Sequence, residues 1–168
     1  VEGHKMNLVY YDMFPQPAME EYFSNYNKFL QANGEKGITV TRAESPEDVL
    51  KAADVVSLHL LLDASTHHFI DEHRLNLMKD DAILVNAARG PHVDEVALVK
   101  HLQKHPEFRC GLDVFEDEPL MKPGLEQCPN AVIVPHIASA TSWTREGMAA
   151  LAASNVAGIL QGYPMLAP

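Results

Sequence analysis

Short β-rich runs recur along the chain, and helix-forming stretches separate them. Several runs are almost continuously apolar, which is typical of strands that are covered on both faces within a parallel sheet. Alternating strands and helices favour a doubly wound α/β sheet, in which each helix returns the chain to the start of the next parallel strand. The runs predicted to be strands are residues 7–11, 37–42, 54–59, 82–86, 110–115 and 131–135.

The helical stretches begin and end at residues that suit helix termini. Ser45 is followed by a proline and, three positions on, by an acid, which is typical of a helix N-terminus. Asp71 opens another helix, and Asp94 is predicted to cap a helix over residues 95–104, which a nearby proline helps to stop. The other helices are predicted over residues 19–32 and from 141 or 142 to about 161, with Gly162 closing the last one.

Composition narrows the kinds of partner that the chain is expected to bind. A formal net charge of -10 repels phosphate backbones, so nucleic acid is not an expected partner. No apolar run approaches the roughly 18 residues of a membrane span. Two cysteines are too few for a disulfide framework and favour a reducing compartment. None of the nine histidines has a spacing typical of a metal site, so no metal is expected.

Asp12 follows the first predicted strand. In dinucleotide-binding folds, an acid at the end of the second strand accepts hydrogen bonds from the adenosine ribose and disfavours the extra phosphate of NADP. The alternative is a turn acid that merely ends a strand. The phosphate-binding glycine loop should lie about 20 residues upstream, yet only eleven residues precede Asp12. We therefore expect that loop and its strand to fall before Val1; otherwise the ribose interpretation is wrong.

Three charged residues, Arg89, Glu118 and His136, each follow the end of a different predicted strand. Each alone has an ordinary alternative: a surface turn, a solvated acidic loop and a packed histidine. Together they suit the reduction of a 2-keto acid, because ligands bind at the carboxyl edge of such sheets. The arginine would hold the carboxylate, the histidine would give a proton to the keto oxygen, and the acid would orient the histidine.

At these positions the sequence resembles the D-isomer-specific 2-hydroxyacid dehydrogenase family, and the similarity runs over essentially the whole chain. The matching segments follow the family's order and spacing, and they include residues 84–90, 93–95, 111–119 and 135–140. Finer features resemble the branch of plant-type peroxisomal hydroxypyruvate (glyoxylate) reductases, and these lie in residues 5–12, 121–125 and 143–148.

The resemblance implies that residues 1–168 form a partial, Rossmann-like NAD-binding domain without the family's substrate domain. The absent first strand is central in such sheets, so two inner edges and a large apolar face should be exposed. The resemblance also implies that Arg89, Glu118 and His136 are catalytic, and that Asp12 selects NAD. Residues placed beside the cofactor are His59, Leu60, Thr66, Ala87, Asp113, Ala138 and Ser139. Leu60 departs from the family pattern, in which proline is usual, and this puts the local loop shape in doubt.

The implied function is NADH-dependent reduction of hydroxypyruvate to D-glycerate and of glyoxylate to glycolate, by a homodimer of the full-length protein. The isolated chain is expected to be inactive. Peroxisomal localisation and a photorespiratory role follow from the resemblance alone, and the cytoplasm is the alternative compartment. No targeting signal is recognised in the sequence, and the last four residues do not form a peroxisomal targeting tripeptide. The alternative to an enzyme is an NAD-sensing interaction module, like the corepressors that are built on this fold. Those proteins keep a similar trio. The segments 121–125 and 143–148 favour the reductase.

Overall fold

A computed structural model describes residues 4–164 of the chain. The prediction about a targeting tripeptide concerns the last four residues, which lie outside the described range. Strands and α-helices alternate along the described range, except that only a 3-10 turn separates β5 from β6. They are, in chain order, β1 (Leu8–Tyr10), α1 (Pro17–Ala32), β2 (Val40–Arg42), α2 (Pro46–Ala52), β3 (Val55–Leu58), α3 (Glu72–Leu75), β4 (Ile83–Asn86), α4 (Glu95–Lys104), β5 (Arg109–Leu112), β6 (Ala131–Ile133) and α5 (Ser142–Leu160), with 3-10 turns at Gly90–His92 and Leu125–Gln127.

Every strand pair is parallel, which confirms the predicted fold class. β1 pairs with β2, and β3, β4, β5 and β6 form a second sheet in that order. No ladder joins β1 to β3 among the described residues, so each of these strands keeps an unpaired edge. This division agrees with the expectation that the central first strand of the nucleotide fold is not part of the chain.

Side-chain hydrogen bonds start four helices where the sequence predicted them. Ser45, Asp71, Asp94 and Thr141 each accept a hydrogen bond from the backbone N–H three residues later, at 2.9–3.2 Å. These bonds satisfy donors that the first helical turn leaves without a partner. The helix that Asp71 opens is a single turn, and Met78 is buried just beyond its end.

Four predicted boundaries were wrong by two residues or more, and one of them is the end of β6, which lies at Ile133 and not at residue 135. β2 begins at Val40 and not at residue 37, because Asn27 and another side chain bond the preceding N–H groups in place of a strand partner. α1 begins at Pro17 and not at residue 19, since proline suits the first helical position. β5 ends at Leu112 and not at residue 115, because the chain turns away from the ladder after Asp113.

The core lies on one face of the four-stranded sheet. Alternate residues of a strand point to opposite faces, and Leu84 and Leu112 are buried against Leu98 of α4 and the neighbouring Phe108. Each such side chain stabilises the fold by about 1.5–3 kcal/mol through burial. The opposite face is open, with Val132 68% exposed, and α5 buries none of its residues.

Candidate active site

The carboxyl ends of β3, β4, β5 and β6 meet at one edge of the sheet. Their last residues are in register, with Leu58 opposite Asn86, Asn86 opposite Leu112 and Leu112 opposite Ile133. Side chains just beyond these ends therefore share one edge, where open α/β sheets bind their ligands. The predicted site residues that follow the four strands are His59, Arg89, Asp113 and His136, respectively.

Glu118 and His136 form the central pair of the site. The Glu118 Oε2 atom lies 2.9 Å from His136 Nδ1, and Glu118 Oε1 accepts the Phe115 N–H at 3.1 Å. The bond from His136 first, and the bond from Phe115 second, hold the pKa of Glu118 below its ordinary range. A charged carboxylate thus fixes the imidazole through Nδ1, and Nε2 is the ring nitrogen that this bond leaves for a ligand.

The backbone at His136 is held in an unusual conformation. Its φ is 53°, in the left-handed region that non-glycine residues seldom adopt. The buried carboxylate of Asp113 accepts the next two backbone N–H groups, from Ile137 at 2.6 Å and from Ala138 at 2.9 Å. Asp113 therefore stabilises the turn that points the imidazole, a role that the sequence did not predict for it.

Arg89 lies in a turn that buried groups fix in place. Asn86, only 1% exposed, donates to the Arg89 carbonyl at 2.9 Å and accepts the Ala88 N–H at 3.1 Å. A Cβ atom at Gly90 would lie 1.8 Å from the Phe115 carbonyl oxygen, so this turn touches the segment that leads to Glu118. The exposed guanidinium of Arg89 bonds the Ala88 carbonyl, so among the described trio only Glu118 and His136 are joined directly.

Asp12 follows the carboxyl end of β1, as predicted. Its carboxylate accepts the Phe14 N–H at 2.9 Å and is 3.3 Å from the Gln16 side-chain amide. Asp12 therefore stabilises a turn, which is what the alternative interpretation of this acid predicted. Each oxygen of a carboxylate has a second acceptor site, and contact with the ribose stays a prediction.

His59, Leu60 and Thr66 lie in one loop after β3. The His59 ring is 2.9 Å from the Ser57 hydroxyl, and the Thr66 hydroxyl donates to the Leu61 carbonyl at 2.6 Å. The buried ring of His92 faces two carbonyl oxygens of this loop, those of Leu60 at 3.0 Å and Thr66 at 3.3 Å. His92 thus connects the predicted cofactor loop to the turn that begins at Arg89.

The open face of the sheet offers an apolar surface that fits a flat ring. A depression of about 210 Å³ runs along this face and is lined by Ala87, Gly111 and Asp113, among others. A Cβ atom at Gly111 would meet nothing within 4 Å, so the floor of the depression is unobstructed. Nicotinamide combines such a ring with an amide, and the residues present fit it. Ala138 and Ser139 lie exposed on the adjoining loop.

Several site residues were missed by the sequence prediction. Asn86, Glu95 and His92 are buried polar residues that bond backbone groups around the trio. His68 lies 3.1 Å from Glu116, in the loop that carries Glu118. Polar residues within apolar stretches were the available signal, but periodicity does not reveal which backbone groups they bond.

Two negative observations concern the described range alone. Within residues 4–164, no three histidine, cysteine or acidic side chains are grouped as a metal ion would require. No helix in the same range combines the length and apolar character needed to cross a bilayer.

Comparison with known proteins shows the family. The model of the family described as D-isomer specific 2-hydroxyacid dehydrogenase, NAD binding domain, matches residues 1–138. The chain is 56% identical over 165 residues to the peroxisomal glycerate dehydrogenase of Arabidopsis thaliana, covering 98% of this chain and 43% of that protein. It is 40% identical over 162 residues to the glyoxylate reductase of Thermococcus litoralis, covering 96% and 44%.

A solved structure extends the comparison to the fold. The D-lactate dehydrogenase of Lactobacillus jensenii, crystallised with NAD+, matches with a TM-score of 0.75 and 30% identity over 95% of this chain and 47% of that one. The chain thus spans less than half the length of these relatives. The resemblance inferred from the motifs around Arg89, Glu118 and His136 is confirmed. The chain therefore belongs to the D-isomer specific 2-hydroxyacid dehydrogenase family and corresponds to its NAD-binding domain.

Proposed function

We propose that the protein to which this domain belongs reduces a small 2-keto acid with NADH. The observation that carries the proposal is the Glu118–His136 pair at the carboxyl edge of the parallel sheet, with 2.9 Å between the carboxylate and Nδ1. A carboxylate behind an imidazole favours its protonated form and fixes its direction. Such a pair is suited to giving one proton to a substrate oxygen.

Each member of the trio has a distinct role. Arg89 binds the substrate carboxylate through parallel hydrogen bonds and polarises the keto oxygen. His136 donates the proton from Nε2 to that oxygen, and Glu118 stabilises the charged ring before the transfer. When bound, NADH supplies the hydride to the keto carbon, so the carbonyl gains one hydride and one proton and becomes a hydroxyl group.

The substrates that we propose are hydroxypyruvate, reduced to D-glycerate, and glyoxylate, reduced to glycolate. The names of the Arabidopsis and Thermococcus relatives support these two acids. The same names weigh against the corepressor-like alternative, for which we find no favouring observation. We assign substrate choice to a further domain, because the chain spans only 43% of the Arabidopsis protein.

Cofactor choice, assembly and localisation complete the proposal. The carboxylate of Asp12 at the end of β1 supports NADH over NADPH, because it would repel the 2′-phosphate. We propose a homodimer in the full-length protein, as the family resemblance implies. The peroxisomal name of the Arabidopsis relative supports the same compartment for this protein.

The test is steady-state oxidation of NADH by an intact version that contains the glycine loop and a substrate domain. Hydroxypyruvate, glyoxylate and pyruvate are compared, with His136→Ala beside the unchanged enzyme. We expect reduction of the first two acids and a fall in kcat of about 10²–10⁴-fold in the variant, the range typical of a lost general acid.

His73→Ala is the matched control, since His73 is an exposed histidine on α3, away from the carboxyl edge. It should retain full activity. The proposal fails if none of the three acids is reduced, or if His136→Ala and His73→Ala behave alike.

A further inference from the structure

Glu95 is a buried acid that stands outside the catalytic trio. It begins α4 directly after the cap residue Asp94, and only 2% of its surface is exposed. Burial of a carboxyl group is costly unless hydrogen bonds satisfy it. The contacts of Glu95 therefore indicate why an acid occupies this position.

Both carboxylate oxygens of Glu95 bond the loop that carries Glu118. Oε1 accepts the backbone N–H of Glu116, and Oε2 accepts the backbone N–H of Lys122 at 3.0 Å. These two donors lie on either side of Glu118 along the chain. One side chain of α4 thus holds both ends of a seven-residue loop segment, residues 116–122.

Two further contacts of Glu116 strengthen the ends of the loop. The side chain of Glu116 lies 3.1 Å from the His68 ring and 3.5 Å from the Lys122 ammonium group. The loop is otherwise open to solvent, and Glu118 itself is exposed. Its catalytic carboxylate therefore depends on anchors at the loop ends and not on burial of its own side chain.

We propose that Glu95 is a positioning residue for Glu118: by binding the backbone at both ends of the loop, it sets the carboxylate against His136. This inference rests on the proposed reductase function. Glutamine at position 95 would keep one acceptor oxygen but turn its NH₂ group toward the other N–H, so one buried donor would lose its partner.

The experiment compares Glu95→Gln with Asp94→Asn in the intact enzyme. Both variants remove an acid from the N-terminus of α4, but asparagine can still cap that helix, and Asp94 bonds Ala97 and not the loop. We expect kcat of Glu95→Gln to fall about 10- to 100-fold, as when a catalytic group is displaced by about 1 Å. KM for NADH should change less than about twofold, and Asp94→Asn should stay within about twofold of the unchanged enzyme in both constants.

A second readout separates positioning from loss of stability. Carbon-13 titration of the Glu118 carboxyl group should show its pKa raised toward the ordinary range in Glu95→Gln, because the bond to His136 loosens. The pKa should remain low in Asp94→Asn. Amide exchange in the unchanged enzyme should be slow at both Glu116 and Lys122, and this result does not depend on whether the variant folds.

The outcomes distinguish this inference from the proposed function. If Glu118→Gln and His136→Ala lose activity while Glu95→Gln keeps both its activity and a low Glu118 pKa, the positioning role is overturned and the reductase stands. If Glu118→Gln and His136→Ala are fully active, the proposed function itself is wrong. Rapid exchange at both amides also overturns the role of Glu95.

Discussion

His136 is fixed by two carboxylates that act on different parts of it. Glu118 bonds the ring at Nδ1, whereas Asp113 bonds the backbone N–H groups of the two following residues. The first contact orients the ring, and the second stabilises a left-handed backbone that would otherwise cost about 1–2 kcal/mol. The direction of the ring and the conformation of the backbone that carries it thus have separate origins.

Gly90→Ala tests the contact between the Arg89 turn and the segment after β5 that leads to Glu118. The added Cβ would lie 1.8 Å from the Phe115 carbonyl oxygen, so the backbone of one segment must move. We expect the free energy of unfolding, measured with urea, to fall by about 2 kcal/mol or more, as in other overpacked sites. Reductase activity should fall as well, because Arg89 and Glu118 separate.

Gly147→Ala is the control for this substitution. Gly147 lies inside α5, where a Cβ would meet nothing within 4 Å. Alanine should therefore leave stability unchanged or raise it by up to about 1 kcal/mol through helix propensity. Equal stability losses in the two variants would contradict a specific contact at Gly90.

At the scale of single residues, the sequence was sufficient to predict the Glu118–His136 pair, because each residue follows a strand of one parallel sheet. It was not sufficient to predict that Asn86 holds the Arg89 turn or that Glu95 holds the loop of Glu118. Those bonds join backbone groups that come together only after the strands and helices have packed. Charge and spacing carry no information about such partners.

The helix α4 carries a buried histidine whose titration affects stability. His101 is 7% exposed, stacks on His105 and packs edge-on against Phe108. Burial first, and then the neighbouring charges of His105 and Lys104, lower the pKa of His101 to about 4. The neutral ring is thus the form compatible with the fold.

Acidification from pH 6.5 to pH 4 should therefore destabilise the domain. In this window the unfolded chain binds a proton at His101 that the folded chain does not, so the free energy of unfolding falls as pH falls. The expected contribution is about 2–3 kcal/mol, and it levels off below the lowered pKa. Urea unfolding at pH 7 and pH 4 provides the measurement.

His101→Leu should remove part of that pH dependence, and His73→Leu on the exposed face of α3 should leave it intact. The buried His92, whose pKa is also lowered by burial, accounts for a remaining share. The same pH dependence in His101→Leu and in the unchanged chain would show that another group is responsible.

The starts of the helices were the most predictable feature at the scale of elements. Caps such as Ser45 and Asp94 act within three residues, so the local sequence contains the whole interaction. Strand ends were less predictable. β2 begins late because Asn27 of α1 bonds the Ile38 N–H, a contact between elements that no local pattern reveals.

At the scale of the whole molecule, the described residues form two parallel sheets that leave edges of β1 and β3 unpaired within that range. Together with the exposed Val132 and the unburied α5, these edges leave much apolar and hydrogen-bonding surface open to solvent in this chain. The carboxyl edge that holds Glu118 and His136 is nevertheless complete, because its four strands pair with one another. The Glu118–His136 pair, for which we propose proton donation, thus lies within this domain.

The proposed chemistry makes two requirements of the reaction product. The keto carbon must receive hydrogen from the nicotinamide, and the new hydroxyl must receive its proton by way of His136. The most direct measurement supplies hydroxypyruvate and NADH, carrying deuterium at the transferred position, to the intact enzyme and analyses glycerate by mass spectrometry. We predict one deuterium on C2 with the unchanged enzyme, and glycerate formation slowed about 10²–10⁴-fold by His136→Ala. Glycerate without deuterium, or equal rates for the two proteins, would contradict the assignment.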